Sequence, residues 1–213
     1  MIHRSVQQLL DTDGEIKCVW ATAESAVVSL SSLWRLYCSE SLDGTILIRK
    51  SDNGEVEVGP IETKQCLVNS VAYSPSGGRI ASGGDGTIRI WDSKTREPLV
   101  SPVEDLQGSV SSIMIVWSSD GSKLYSSSDN FARVLESVSG TQHHRFENDK
   151  PLHCIALSSK HNVLACVGWN GTAQLWDTRI LSATWPAIRR EGWRKPLLCE
   201  IVSRWEIPSI WGA

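Results

Sequence analysis

Apolar and polar positions alternate in short runs separated by turns rich in Gly, Ser and Asp, and the clearest instance is VNSVAYSPSGGRIASGGDGTIRIWD at 68–92. A period of two places neighbouring side chains on opposite faces of a strand, whereas a helix would repeat every 3.6 residues. Val71 and Tyr73 mark a first strand and SPSGG at 74–78 a turn. Residues 79–82 form a second strand, GGDG at 83–86 turns again, and Ile88 and Ile90 lie in a third strand at 88–91.

The same pattern returns on both sides of this unit. IKCVWA at 16–21 matches its first strand, the match slips over 22–36, and it resumes at Tyr37 with YCSESLDGTILIRK. EVEVGPI at 55–61 alternates as a fourth, outermost strand, and PLVSPVED at 98–105 and QHHRFEND at 142–149 take the same place in later copies. A third copy covers 117–136, with the register of its first strand, inside VSSIMIVW, open by two residues; a fourth covers 152–177. The copies end at Lys50, Asp92, Glu136 and Asp177, spaced by 42, 44 and 41 residues. That is the period of four-stranded propeller blades. Val71, Tyr73, Ile80, Ile88 and Ile90 should form the buried faces, with counterparts at Val28, Ile46, Ile48, Ile115, Leu124, Val134, Ile155, Leu157, Leu164 and Leu175.

VAYSPSGGRIASGGDGTIRIWD and the Trp-Asp ending of the fourth copy resemble the WD40 repeats, and in particular tandem repeats of fungal WD40 proteins. The resemblance covers 16–177. It implies an all-β, partial β-propeller of about four blades in residues 1–177. Residues 178–213 are expected to be a non-repeat tail, irregular or with a short helix around 187–193. The implied function is a non-catalytic scaffold that binds other proteins. The alternatives are a non-functional fragment of a larger WD40 protein and, behind it, a propeller enzyme or cofactor binder.

The family pattern links a Trp, a Ser or Thr, an Asp and the His of a Gly-His pair. Trp91, Ser82 and Asp85 match three of these places, while Thr63 and Lys64 stand where Gly-His would be. The fourth copy keeps Trp176 and Asp177 but has Cys166 for the serine and Asn170 for the aspartate. A buried hydrogen-bond relay contributes most when complete, so these blades are expected to be less rigid than consensus ones. Partner contacts are expected at the blade turns, around Lys64, Gln107, Asp149 and Trp169, together with Asp85 and Asp129. The alternative role for Trp169 is packing on the adjacent blade.

Several motifs could suggest other chemistry. Asp43, Asp85 and Asp129 recur once per copy, which points to a turn residue accepting backbone N–H bonds rather than to paired catalytic carboxylates. GGDG is followed by a strand, not by the helix that a phosphate cradle needs. His153, Cys154, His161 and Cys166 are ligand types at a spacing that matches no common zinc pattern, and His143 and His144 sit in an outer strand. No metal, cofactor or catalytic residue is expected.

Net charge is −3, which gives no nucleic-acid footprint, and no run of roughly 18 apolar residues suggests a membrane span. MIHRSVQQLL lacks the apolar core of an export signal. The expected location is therefore intracellular, in the cytoplasm or nucleus, with the six cysteines reduced. The tail after Asp177 holds four of the ten tryptophans and six basic against three acidic residues. Permitted codons for 204–212, read one base on, give Asp-Gly-Lys-Tyr-Leu-Ala-Tyr-Gly, the turn and second strand of another repeat. The tail is accordingly expected to be an out-of-frame reading, with a related origin for 22–36.

Overall fold

The computed structural model describes residues 44–50, 52–103, 114–168 and 172–189, together with strand backbone at 19–20, 27–30 and 36–40; side chains are described for 44–50, 52–103, 114–152, 154–168 and 172–181. Among these residues every regular element is a strand. The first sheet runs β1 (Val19–Trp20), β2 (Val27–Leu30), β3 (Leu36–Glu40), β4 (Thr45–Lys50), β5 (Val56–Glu62). The second contains β6 (Ser70–Tyr73), β7 (Arg79–Gly84) and β8 (Thr87–Asp92). The third contains β9 (Met114–Trp117), β10 (Lys123–Ser128), β11 (Phe131–Glu136) and β12 (Gln142–Glu147). The fourth contains β13 (Leu152–Ser158), β14 (Val163–Gly168), β15 (Thr172–Asp177) and β16 (Ser182–Arg189). Every pairing is antiparallel between chain neighbours, the meander that short turns allow.

The sheets stack in chain order as a partial propeller, and the period-two pattern divides each strand between two interfaces. Ile46, Ile48 and Ile61 of the first sheet pack against Val71, Tyr73, Ile80 and Trp91 of the second. Ile88 and Ile90 point the other way, toward Ile115, Trp117, Leu124 and Leu135 of the third. Tyr125, Ala132 and Val134 then meet Ile155, Leu164 and Cys166 of the fourth. Each interface removes two apolar faces from water, which no single sheet can do alone. Of the anticipated core positions, Leu157 is only partly buried, and the side chain of Val28 lies outside the described residues.

Three local features differ from the sequence reading, and a fourth settles what it left open. In the first sheet β1, within the predicted strand 16–21, is an additional edge strand; β2, from the stretch that breaks the pattern, lies next to β6 in the innermost position. The second sheet has no continuous fourth strand. Pro98 and Pro102 carry no N–H to continue a ladder, so the pairing is reduced to bridges at Trp91–Pro98 and Ile88–Val103. The register of β9 is settled by Ile115 opposite Ser126 and Trp117 opposite Leu124. Finally, residues 182–189 are a strand on β15, not irregular or helical. Pro186 is accommodated because β16 is an edge strand whose register shifts around Leu175. Residues 190–213 lie outside the described residues.

Cys154 is disulfide-bonded, contrary to the expectation of six reduced cysteines, and its partner is not among the described side chains. Cys66 and Cys166 are free thiols.

Candidate functional site

The hairpin turns β7–β8 and β10–β11, the ends of β14 and β15 at Gly168 and Thr172, and the loops entering β6 and β13 share one end of the stacked sheets. In the second sheet that end rests on a buried relay. Trp91 Nε1 donates to Ser82 Oγ at 3.0 Å, and Ser82 Oγ donates to Gln65 Oε1 at 2.9 Å. Gln65 Nε2 in turn reaches Gly84 O and Thr87 O at 3.0 Å each and Thr87 Oγ1 at 2.9 Å. Gln65 and Ser82 are buried. The relay anticipated as incomplete is therefore closed, by the residue next to the place where a histidine was sought.

Local backbone explains the displacement. Lys64 has a φ of 58°, and around it burial alternates, with Ile61, Thr63 and Gln65 inward and Glu62, Lys64 and Cys66 outward. Burying a lysine would cost far more than burying an amide whose hydrogen bonds are all made. Thr63 fixes the loop by donating its hydroxyl to Gly44 O at 2.6 Å and accepting Gln65 N at 3.1 Å.

Asp85 and Gly86 have φ of 49° and 71°, the mirror-image hairpin turn that suits twisted strands. The Asp85 carboxylate accepts the backbone N–H groups of Cys66 and Leu67, tying the β7–β8 turn to the loop entering β6. Asp129 behaves differently. Its backbone carbonyl accepts Leu152 N at 2.6 Å, but Oδ2 is buried without a partner; burial raises its pKa and the charge of Arg133 opposes the rise. The shared turn-acceptor role proposed for the three aspartates thus describes the side chain of Asp85, not that of Asp129. Asp43 lies outside the described residues.

The relay is degraded in the later sheets. Ser126 occupies the place of Ser82, since each sits across from an arginine (Arg133, Arg89), but Leu135 stands where Trp91 would donate. Ser126 Oγ is accordingly buried without a partner. In the fourth sheet Cys166 takes the serine's place, opposite Gln174. Trp176 Nε1 is buried with no oxygen or nitrogen partner, and its N–H is left to the Cys166 sulfur, a weak acceptor. Burial pushes the Cys166 thiol well above its ordinary pKa, so it stays protonated.

At the opposite end, the aspartates of the Trp-Asp endings cap turns. Asp92 Oδ1 accepts Lys94 N at 2.9 Å and Thr95 N at 2.8 Å. Asp177 accepts Arg179 N at 2.8 Å and Arg179 Nη2 at 2.7 Å, which hold its carboxyl down to about 2.

Among the anticipated partner contacts, Lys64 and Asp149 are exposed on loops entering β6 and β13, and Asp85 is exposed beside Lys64. Gln107, Trp169 and Asn170 lie outside the described residues. Cys154 and Cys166 belong to clusters on opposite faces of the fourth sheet, and among the described residues no three His, Cys, Asp or Glu side chains gather as a metal site would require. His143 pairs with Glu136 at 3.2 Å on the surface, while His144 packs edge-on to Phe146. Gln65 is the residue that spacing missed. The signal for it was the lysine at 64, a poor candidate for a buried relay, with an amide beside it.

The sequence profile described as WD domain, G-beta repeat matches residues 58–92, 100–135 and 138–177. Actin-interacting protein 1 of Drosophila melanogaster is 33% identical over 107 residues, covering 46% of this chain and 16% of that protein. The match thus spans about a sixth of the relative's length.

Proposed function

Because the chain belongs to the WD40-repeat family, whose domains serve generally as protein-interaction scaffolds, we propose that it is a non-catalytic scaffold receiving other proteins on the turn face that carries Lys64, Asp85, Asp129 and Asp149. The observation that carries this reading is the second-sheet relay. It spends its polar groups on fixing a loop, and so presents Lys64 and Cys66 outward on a rigid support. Rigid presentation lowers the ordering cost of association. Asp85, the best candidate for an acid or base by its place in a turn, is committed to two backbone N–H groups.

Proteins suit this face better than nucleic acid or a membrane surface. The net charge of −3 supplies no basic field, and on this face exposed Asp85 and Asp149 offset exposed Lys64 and Lys150. Among the described residues no helix is long and apolar enough to cross a membrane, and the cytoplasm or nucleus is the proposed location. Actin is the first partner to assay, solely because the Drosophila relative is called actin-interacting.

The test uses the whole chain, with Lys64→Glu and Asp149→Lys compared against the parent. Each reversal should weaken a bound protein about tenfold, mostly through slower association. A partner whose affinity survives both reversals binds elsewhere, and that result removes the turn face from consideration.

A further inference from the structure

The fourth sheet has two faces, and the stack accounts for one of them. Ile155, Leu164 and Cys166 meet the third sheet. Cys154, Val163, Ala165, Val167 and Leu175 point the other way, each at most 6% exposed, and their cluster contains no described residue of another sheet. Side chains on a sheet face become this inaccessible only when other atoms lie on them. Cys154, in the first strand of this sheet, also carries a disulfide.

The repeat indicates which position Cys154 meets. Ile155 lies opposite Cys166 as Val71 lies opposite Ser82, so Cys154 is the counterpart of Ser70. Ser70 Oγ accepts the N–H of Ile115 at 3.3 Å, and Trp117 Nε1 donates to Ala72 O at 3.0 Å. Both contacts cross from β6 to β9, the first strand of the next sheet, and both span 45 residues. Cys199 stands 45 residues beyond Cys154. Of the other cysteines, Cys66 and Cys166 are free thiols. Cys38 is paired with Ile48, a position on the face packed against the second sheet. Cys18 immediately precedes β1 of the first sheet, which the second and third separate from the fourth in the stack. β16 ends at Arg189 on the outer edge of the fourth sheet, ten residues before Cys199. Ten extended residues reach about 33 Å, against about 14 Å across four strands.

We propose that Cys199 is the disulfide partner of Cys154, and that the segment 195–204 around it covers the outer face of the fourth sheet, beside β13 as β9 lies beside β6. The segment carries the apolar residues that such a cover needs, Leu197, Leu198, Ile201 and Val202. Bond formation joins the two Sγ atoms, while two protons and two electrons pass to a disulfide oxidant such as oxidised glutathione, which leaves as two thiols. Reduction reverses the step and removes the covalent tie. The hold of the segment on the sheet therefore follows the thiol poise around the protein, the use to which disulfides in a reducing compartment are generally put. None of this depends on the scaffold reading.

The experiment equilibrates the full chain with oxidised glutathione, alkylates the remaining thiols and digests with trypsin without reduction. Mass spectrometry should find the peptide 146–160, which holds Cys154, joined to 195–204, which holds Cys199. Cys154 recovered alkylated, or joined to the Cys18 peptide 18–35 or the Cys38 peptide 36–49, would overturn the pairing. Hydrogen exchange under the same conditions tests the cover. Cys199→Ser should speed exchange of the β13 and β14 amides about a hundredfold, the order expected for losing a cross-link that closes a loop of this length. The β7 and β8 amides should keep the parent's rates and so report that the variant folds. Parent-like exchange in Cys199→Ser, equal acceleration in β7 and β8, or the same acceleration in the free-thiol variant Cys66→Ser would each overturn the cover.

Discussion

Replacing Gln65 by Met tests whether the closed relay supports the second sheet. The two side chains are similar in length and flexibility, so packing changes little and the polar contacts are removed. The amide makes one accepted bond, from Ser82, and its two N–H hydrogens serve Gly84 O, Thr87 O and Thr87 Oγ1. Counting the two hydrogens and the one acceptor gives three bonds, at roughly 1 kcal/mol net each. Ser82 keeps Trp91 as a donor, and Gly84 O keeps the Thr87 hydroxyl, so only part of the desolvation cost is exposed. A loss of about 3 kcal/mol follows, a large share of the 5–15 kcal/mol typical of a folded domain. Urea unfolding followed by circular dichroism measures it, with Gln142→Met on the exposed outer strand β12 as control. A midpoint shift worth under about 0.5 kcal/mol at unchanged slope would refute the argument. Gln65→Glu should be worse near neutral pH and recover in acid. Its buried carboxyl would carry a raised pKa, so stability is retained below the unfolded value and lost as pH rises through the folded one.

Three further outcomes follow from the same geometry. Ser82→Ala leaves Trp91 Nε1 and Gln65 Oε1 buried without a partner and should cost about 2 kcal/mol, whereas Ser126→Ala removes a hydroxyl that has no partner and should stay within about 0.5 kcal/mol in denaturant unfolding. Equal costs would show that the two serines are not distinguished by the relay. Gly84→Ala would drive a Cβ into the Leu67 carbonyl oxygen, where only backbone movement gives relief. A loss of about 3 kcal/mol is expected, and a neutral thermal shift would contradict it. The Asp177 carboxyl, held at about 2 by Arg179, contributes stability that is present above the unfolded carboxylate range and lost as pH falls through about 2. Arg179→Ala should bring its NMR titration back toward ordinary aspartate values, and an unchanged midpoint would exclude the guanidinium as the cause.

The strands and the stacking were readable because each rests on local signals. Val71, Tyr73, Ile80, Ile88 and Ile90 alternate, Gly and Asp punctuate, and the period of the Trp-Asp endings exposes the repeat. What escaped reading was set by contacts distant in sequence or by backbone conformation. Gln65 enters the relay because the in-and-out alternation that buries Ile61 and Thr63 continues through the loop, which puts the inward position one residue from where the spacing placed it. β2 takes the innermost position from residues whose pattern looked damaged, while β1, the better match, is pushed to the edge. β16 carries a proline and an uneven register, so its strand character comes from pairing with β15 rather than from propensity.

The relay's decay along the chain bears on where binding would occur. In the second sheet the turn and the entering loop are joined through Asp85 and Gln65, and that junction is filled. In the third, Ser126 and Asp129 Oδ2 hold buried hydrogen-bonding capacity that no described residue meets, and in the fourth the Trp176 N–H has only the weakly accepting Cys166 sulfur. Such groups cost stability unless something pairs them. The later sheets therefore have the most to gain from an added polar group. The second sheet would then act as the fixed support, and the junction of the third and fourth as the place where a partner's contacts return the larger free energy. Binding there should raise the melting temperature of the Ser126 and Trp176 sheets more than that of the Gln65 sheet, an ordering that hydrogen exchange resolves strand by strand. Uniform protection across all the sheets would show that the partner does not choose among them.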